Sequence, residues 1–473
     1  MNFRFPGPTT LIPLLFLAIT ASTQLAAQPP QAHDNDHPSA VRFATLVNFD
    51  NTNGGNPAGP LIQGRDRNLY GTTGFGGSRN AGTFFKMSPQ GELTTVYDFC
   101  SQLNCTDGRN PSGTLVLGID GNFYGITSTG GANEAGTVFK ITPGGVLTTI
   151  YNWCSQPLCA DGFYGSFPES GTFVQARDGN FYGTTSSGGI NPVGTFFKMS
   201  PRGELTTLYN FCSQPNCADG LFPTGLVQAT DGNFYGTTVE GGANTAGANG
   251  GGTVFRITRE GVLTTLYNFC SQTGCTDGSF PIGPLIQARD GSFYGTTTAG
   301  GTHTNPVCFF FSFYPSCGTA FKVTSKGVLT TLYNFCSLPD CADGAVPRFG
   351  LMQAADDNFY GSTAPGVQVF GTPSSDGITV FRMTRKGKLT TLHTFDQIFQ
   401  TPQALIQGTN RNIYGVTLTG GTNEGCGSFF SSFPSCGTVF QLAVCGDEDN
   451  QGNGCEDQSV LKSPALRVPG DRP

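Results

Sequence analysis

A chain of 473 residues with 25 Lys and Arg against 32 Asp and Glu, net −7 and with an isoelectric point of about 5.1, lacks the basic stripe that a nucleic-acid surface needs to neutralise phosphates. Its four histidines leave almost no material for a His-based triad or a histidine metal site. Gly 68, runs rich in Thr, Ser and Asn, and only 12% charged residues fit a turn-dense all-β protein.

Residues 1–27 read as a secretory signal. Arg4 supplies the positive start, Leu11–Thr20 is an apolar run too short to span a bilayer, and small residues place cleavage near Ala27. Residues 28–42, with His33 and His37, are polar and Pro-containing and read as a flexible leader. No later stretch approaches a transmembrane length. The mature chain is therefore expected outside the cytoplasm, secreted or at the cell surface, with no transmembrane segment.

From Phe43 onward one unit is copied. A Tyr-Gly pair returns at Tyr70, Tyr124, Tyr182, Tyr235, Tyr294, Tyr360 and Tyr414, at intervals of 54, 58, 53, 59, 66 and 54 residues. Short Thr- and aromatic-rich runs at a period of about 50 residues mark a propeller or β-array. The third repeat divides into four strand-like pieces, Gly171–Ala176, Asn180–Thr185, Gly194–Ser200 and Glu204–Phe211. Alternation in the last piece puts Leu205, Thr207, Tyr209 and Phe211 on one face. Asp-Gly between the first two pieces predicts a tight, primed hairpin turn.

After Gly437–Val444 the last repeat lacks its Leu-Thr-Thr strand, and the missing copy stands at the start of the chain as Phe43–Phe49. The N-terminal strand is thus expected to complete the last blade. This gives an all-β, seven-bladed β-propeller over residues 43–445, with four antiparallel strands per blade, followed by a polar, disulfide-containing tail, 446–473. The run ending in Leu-x-Gln is then innermost and the Leu-Thr-Thr strand outermost. The two short turns share one face; the loops after the Tyr-Gly strand share the other with the blade crossings. Variable loops on a rigid frame make that second face the functional one.

All sixteen cysteines fall into local pairs. Five are Cys-x4-Cys: Cys100 with Cys105, Cys154 with Cys159, Cys212 with Cys217, Cys270 with Cys275, and Cys336 with Cys341. The others are Cys308 with Cys317, Cys426 with Cys436, and Cys445 with Cys455. Each pair occupies the same place in its own repeat, which should keep neighbouring pairs apart and leave no tetrahedral zinc centre. Together with the signal peptide this predicts local disulfides and no metal or cofactor. The tail echoes a calcium loop at Asp447, Asp449 and Gly452, but Gln458 stands where the bidentate Glu belongs, so a bridged loop is the simpler reading.

Two aspartate sets recur. Asp120, Asp178, Asp231 and Asp290 lie in the hairpin turn, where a side chain bonding its own backbone explains them. Asp107, Asp161, Asp219, Asp277 and Asp343 follow the second cysteine of a bridged loop, as a structural turn or as a ring of calcium or substrate ligands. Two expanded loops, Pro306–Cys317 and Gly425–Cys436, place Phe309, Phe310, Phe311, Phe313, Tyr314, Phe429, Phe430 and Phe433 on disulfide-pinned segments. Side chains this apolar either cap the propeller or form a binding platform.

Following Phe-Tyr-Gly-Thr-Thr, the unit G-x-x-x-G-T-V-F-K-I-T-P-x-G-x-L-T-T-L-Y-x-F resembles the GloVer tandem repeat of choice-of-anchor extracellular bacterial proteins, over nearly all of Phe43–Val444. The resemblance implies a secreted or surface-exposed repeat protein without an assigned activity, usually with a C-terminal sorting signal. Ser459–Pro473 carries no hydrophobic tail, so release is expected rather than anchoring. A weaker likeness, to the D-G-N-x-W-F-T…G-R-I-T-P-D-G repeat of streptogramin-lyase-type seven-bladed propellers, supports the fold, whereas the His/Glu groups of those enzymes have no match here. A quinone-cofactor dehydrogenase usually has repeated docking tryptophans, and this chain has only Trp153. The resulting expectation is a non-enzymatic binding or scaffold module for a protein or glycan. The alternative is a carbohydrate-active hydrolase or lyase working with loop carboxylates.

Overall fold

Short runs punctuated by glycine become 29 strands arranged in seven sheets, with no α-helix among the described residues. The computed structural model describes residues 41–162, 173–244, 250–305, 308, 316–364, 377–396, 400–423 and 436–444. The third blade runs Phe173–Gln175, Phe181–Thr185, Thr195–Met199, Leu205–Asn210, each strand antiparallel to the next. In the first blade the inner strand is split into Gly55–Pro57 and Ile62–Gln63, both paired with Leu69–Phe75. The seventh blade takes Val41–Asn48 as its outer strand, with Val41 opposite Val444 and Asn48 opposite Thr438. The ring is a seven-bladed propeller closed by the N-terminal strand, as the displaced copy predicts.

Apolar side chains gather between blades. The buried hydrophobics form seven clusters, each shared by two neighbouring blades. Between blades three and four, for example, Tyr182, Phe196 and Phe211 meet Leu226, Phe234 and Phe255. Each blade is thus buried on both faces, and a single blade has no core of its own.

The Tyr-Gly motif has a packing cause. The glycine pairs across the strand with a phenylalanine, Gly183 with Phe197, whose ring lies over it. A Cβ at Gly183 would stand 2.6 Å from the tip of that ring. The tyrosine points the other way, into the next blade: Tyr124 meets Phe181 at 4.5 Å and Tyr235 stacks on Phe293 at 4.0 Å between ring centroids. Its hydroxyl donates to the aspartate four residues earlier, at 2.9 Å for Asp120 and Tyr124 and 2.8 Å for Asp231 and Tyr235.

The aspartate at this turn accepts from its own backbone as expected, with Asn180 N at 3.0 Å from Asp178 Oδ1. The set also includes Asp66 and Asp356, with Asn410 in the last blade. Burial opposes ionisation of Asp66, yet hydrogen bonds from Lys86, Asn68 and Tyr70 hold its carboxyl well below the usual range.

Two local expectations are corrected. The Asp-Gly turn is not a primed two-residue hairpin, because Asp120 keeps a negative φ and only Gly121 is left-handed, at 80°. Bonds from Gly118 N to Asn122 O and from Gly121 N to Gly118 O define a three-residue loop with glycine at its bulge position. The outer strand does not alternate throughout. Phe196 pairs with Tyr209 but Phe197 with Thr207, so Leu208 is an extra residue. This bulge flips the strand: Leu205 packs towards blade two, whereas Tyr209 and Phe211 pack towards blade four.

In six of the seven blades a glutamine closing the inner strand joins the blade to the one before it. Gln228 Nε2 donates to Gly232 O within its blade, while its Oε1 accepts Arg177 N of blade three at 3.0 Å. The same bridge from Gln63 to Thr409 N, at 2.9 Å, spans the closure of the ring. Blade two has Leu117 at this place, and there the Arg65 guanidinium reaches the Ile119 carbonyl instead.

Candidate functional site

The variable loops are rooted on a buried threonine pair in each blade. Thr73 and Thr83 share a hydrogen bond of 2.9 Å across 10 residues of sequence, as do Thr127 with Thr137 and Thr185 with Thr195. The same contact holds at 2.9 Å across 15 residues in blade four and at 2.8 Å across 22 in blade five. Blades six and seven keep it at 3.0 Å across 16 and 2.8 Å across 21. The frame is constant while the loop it closes more than doubles in length.

Each bridged crossing loop is organised by its aspartate. Asp219 is fully buried; its Oδ2 accepts the Tyr209 hydroxyl at 2.7 Å and Ser213 N at 2.9 Å, and Oδ1 accepts Gln214 N at 3.1 Å. Asp107, Asp161, Asp277 and Asp343 repeat the pattern and are equally buried. These carboxylates are turn builders, committed to their own loops, and form no open ligand ring. Burial first, then the hydrogen bond to Asp107, pushes the Tyr97 phenol up to about 12, and Tyr267 and Tyr333 likewise reach about 12.

The five Cys-x4-Cys pairs are disulfides: Cys100 bonds Cys105, Cys154 bonds Cys159, Cys212 bonds Cys217, Cys270 bonds Cys275, and Cys336 bonds Cys341. Cys308 bonds Cys317, Cys436 is disulfide-bonded, and Cys426, Cys445 and Cys455 lie outside the described residues. The second cysteine of a crossing loop also fastens that loop to its neighbour through the backbone. Cys159 O accepts Gly162 N at 2.8 Å and Gly189 N of the blade-three loop at 3.3 Å. Cys275 O likewise accepts Gly278 N at 2.9 Å and Gly301 N of the blade-five loop at 3.0 Å. With their sulfurs closed in bridges, Cys159 and Cys275 are parts of the frame and offer no thiol to a ligand.

The expectation that neighbouring pairs stay apart fails in blade five. There Cys308 and Cys317 add a second bridge beside the crossing loop, at a place where other blades have the same backbone contact without a second bridged pair: Val346 N bonds Cys317 O at 2.9 Å as Phe280 N bonds Gly251 O at 2.9 Å. The sulfurs of Cys308, Cys317, Cys336 and Cys341 consequently all lie within 4.8 Å of one another. Repeat spacing does not show this because it compares equivalent loops, whereas the contact is between the blade-five loop and the crossing that leads from blade five to blade six.

The eight aromatic candidates, Phe309, Phe310, Phe311, Phe313, Tyr314, Phe429, Phe430 and Phe433, lie outside the described residues. Described loops add apolar tips the sequence reading did not single out. Leu103 and Leu158, in the first two bridged crossings, and Ile190 in the blade-three loop are 85%, 98% and 80% exposed. Leu158 also holds a left-handed φ of 58°, where the equivalent places carry Asn104, Asn216, Gly274 and Asp340. Beside the first crossing, Asn104, Thr106, Arg109, Gly131 and Glu134 line a solvent-open, mainly polar groove crossed by the Arg109–Glu134 pair at 3.2 Å.

The chain belongs to the Gloeobacter/Verrucomicrobia repeat family, whose model matches residues 36–173 and 160–315. No curated protein matches its sequence. Among solved structures it is similar to virginiamycin B lyase from Staphylococcus aureus, at a TM-score of 0.53 and 13% identity over 85% of this chain and 99% of that one. It is also similar to the extracellular domain of a hybrid two-component system from B. thetaiotaomicron, at a TM-score of 0.50 and 11% identity over 86% of this chain and 42% of that one. At such identities the likeness concerns the fold alone.

Proposed function

We propose that the protein is an exported, non-enzymatic binding or scaffold module that engages a protein or glycan through the loop face of its propeller. The observation that carries this reading is the constancy of the loop roots. The threonine pairs stay 2.8–3.0 Å apart while the sequence they close ranges from 10 to 22 residues. A stiff frame under loops of free length is the usual construction of a recognition surface.

A carbohydrate-active site needs an acid and a base free to meet substrate. The recurring carboxylates of this face are instead buried in their own turns, which favours binding over catalysis. Six local bridges with both cysteines among the described residues suit an oxidising compartment, and no helix among those residues is long and apolar enough to cross a membrane.

The test screens purified protein against a glycan array and immobilised cell-wall fractions, and against a polysaccharide panel for turnover. Saturable binding that is lost when Phe310, Phe313, Phe430 and Phe433 are changed to Ser, at unchanged melting temperature, supports the reading. New reducing ends or unsaturated products, abolished by a loop Asp→Asn change, would replace it with the enzyme.

A further inference from the structure

We propose that the short-turn face of the propeller, opposite the variable loops, docks on a bilayer surface rich in anionic headgroups. The turns of this face are uniform. Its hairpin turns all repeat the Gly118 N to Asn122 O bond and its outer turns all repeat the Ser200 N to Glu204 O bond, each at 2.8–3.1 Å. Both kinds meet on one side, where the Tyr414 hydroxyl of blade seven donates to Pro89 O of blade one at 3.5 Å. The face is therefore of even height, which suits a flat partner.

Charge divides between the two faces. Among the described residues, every Lys and Arg except Arg79, Arg109 and Arg348 lies on or beside the short turns. The loops carry Asp50, Asp98, Glu134, Glu240, Asp340 and Asp396 against Arg79 and Arg109. A net charge of −7 averages over both faces, so the basic surface that composition argues against is made by folding. The turn carboxylates are already engaged, Asp66 by Lys86 and Asp120 by Lys140 at 2.8 Å, and Asp290 by Lys322 at 2.9 Å. The cationic excess is greatest on blades five to seven. There the outer turns carry Lys326, Arg385, Lys386 and Lys388, all exposed and with no acid among them, and Asn410 stands in the aspartate's place beside Arg411.

The same turns present aliphatic side chains to water. Ile119, Val146, Val262 and Val328 are 63–67% exposed, with Val262 in the turn of Arg259 and Val328 in that of Lys326. A polyanion in solution gains little from isolated aliphatic tips. A bilayer interface takes both, holding cations at its phosphates and aliphatics below them. With this face against a membrane, the loop face points away and stays open to its own ligand.

The experiment sediments the full chain with vesicles of phosphatidylcholine alone, and of phosphatidylcholine with an equal part of phosphatidylglycerol. Binding should be confined to the anionic vesicles and be released at ~1 M salt, where screening sets in within about 3 Å. Each cation near an anionic leaflet strengthens binding roughly fivefold, so Lys326→Gln, Arg385→Gln, Lys386→Gln and Lys388→Gln together should weaken it at least about a hundredfold. Val262→Ser with Val328→Ser should weaken it about tenfold and leave its salt dependence unchanged. On the loop face, Arg79→Gln with Arg109→Gln should change nothing. Should the fourfold variant not fold, Lys326→Gln alone, about fivefold weaker, carries the same test. The proposal is overturned by no binding to the anionic vesicles, by equal binding to both kinds, or by an equal loss with the loop-face change. It is also overturned if polygalacturonate or duplex DNA in solution binds as tightly as the anionic vesicles and is indifferent to the valine changes.

Discussion

At the scale of single residues, the repeat is a set of steric and hydrogen-bonding necessities. The glycine of Tyr-Gly is required because Phe197 occupies the space over Gly183, so Gly183→Ala should destabilise by about 1–3 kcal/mol, read by denaturant titration. Leu158 is the converse case, a branched side chain in a left-handed place that Asn104 and Asn216 fill elsewhere. Leu158→Asn should raise stability by about 1 kcal/mol, and a simultaneous loss of ligand binding would make this exposed leucine a contact. The half-buried phenols of the crossing loops make stability depend on alkaline pH. Tyr97, Tyr267 and Tyr333 titrate at about 12 in the fold against an ordinary 10.0. The folded state therefore binds more protons across that interval. Stability from these groups is complete below pH 10.0 and falls as pH rises towards about 12, which thermal melts across that range will show.

Among the elements, strands and loops, the inter-blade glutamines contribute most that sequence reading passes over. Gln228 bridges its own turn and the blade before it, so Gln228→Ala should cost about 1 kcal/mol. Leu117→Gln should add the bridge that blade two lacks and raise the melting temperature. The blade count, the strand order within a blade and the ring closure were legible because tyrosine, glycine and threonine recur in fixed order and the displaced outer strand is visible at Phe43–Phe49. The bulge at Leu208 was not legible, since one extra residue in an apolar run leaves no mark in composition. The turn type was misread because Asp-Gly fits both a primed hairpin and a three-residue loop, and the difference lies in the φ of the aspartate. Of the candidate site, the six local bridges whose cysteines are both described were legible, because each joins the nearest cysteines in sequence. The sulfur cluster was not, because it depends on two bridges of different loop types meeting, Cys308–Cys317 and Cys336–Cys341, which sequence spacing does not compare.

For the whole molecule, the seven clusters between blades make stability a property of the closed ring. Removing Val41–Asn48 strips the outer strand from blade seven and uncovers Phe440, which stacks on Phe43 at 5.4 Å. That truncation should lower the melting temperature and expose an edge that pairs between molecules, read by calorimetry and by light scattering. The closing pair has a further, mechanical consequence. Val41 and Val444 sit side by side at the same end of the two strands, on the face of the short turns. Tension applied between the chain on either side of the propeller therefore peels the closing strand one hydrogen bond at a time, from Val41 towards Asn48, and never loads all of them in shear. Under a pull the ring should open at this seam at low force while the disulfide-braced blades stay folded.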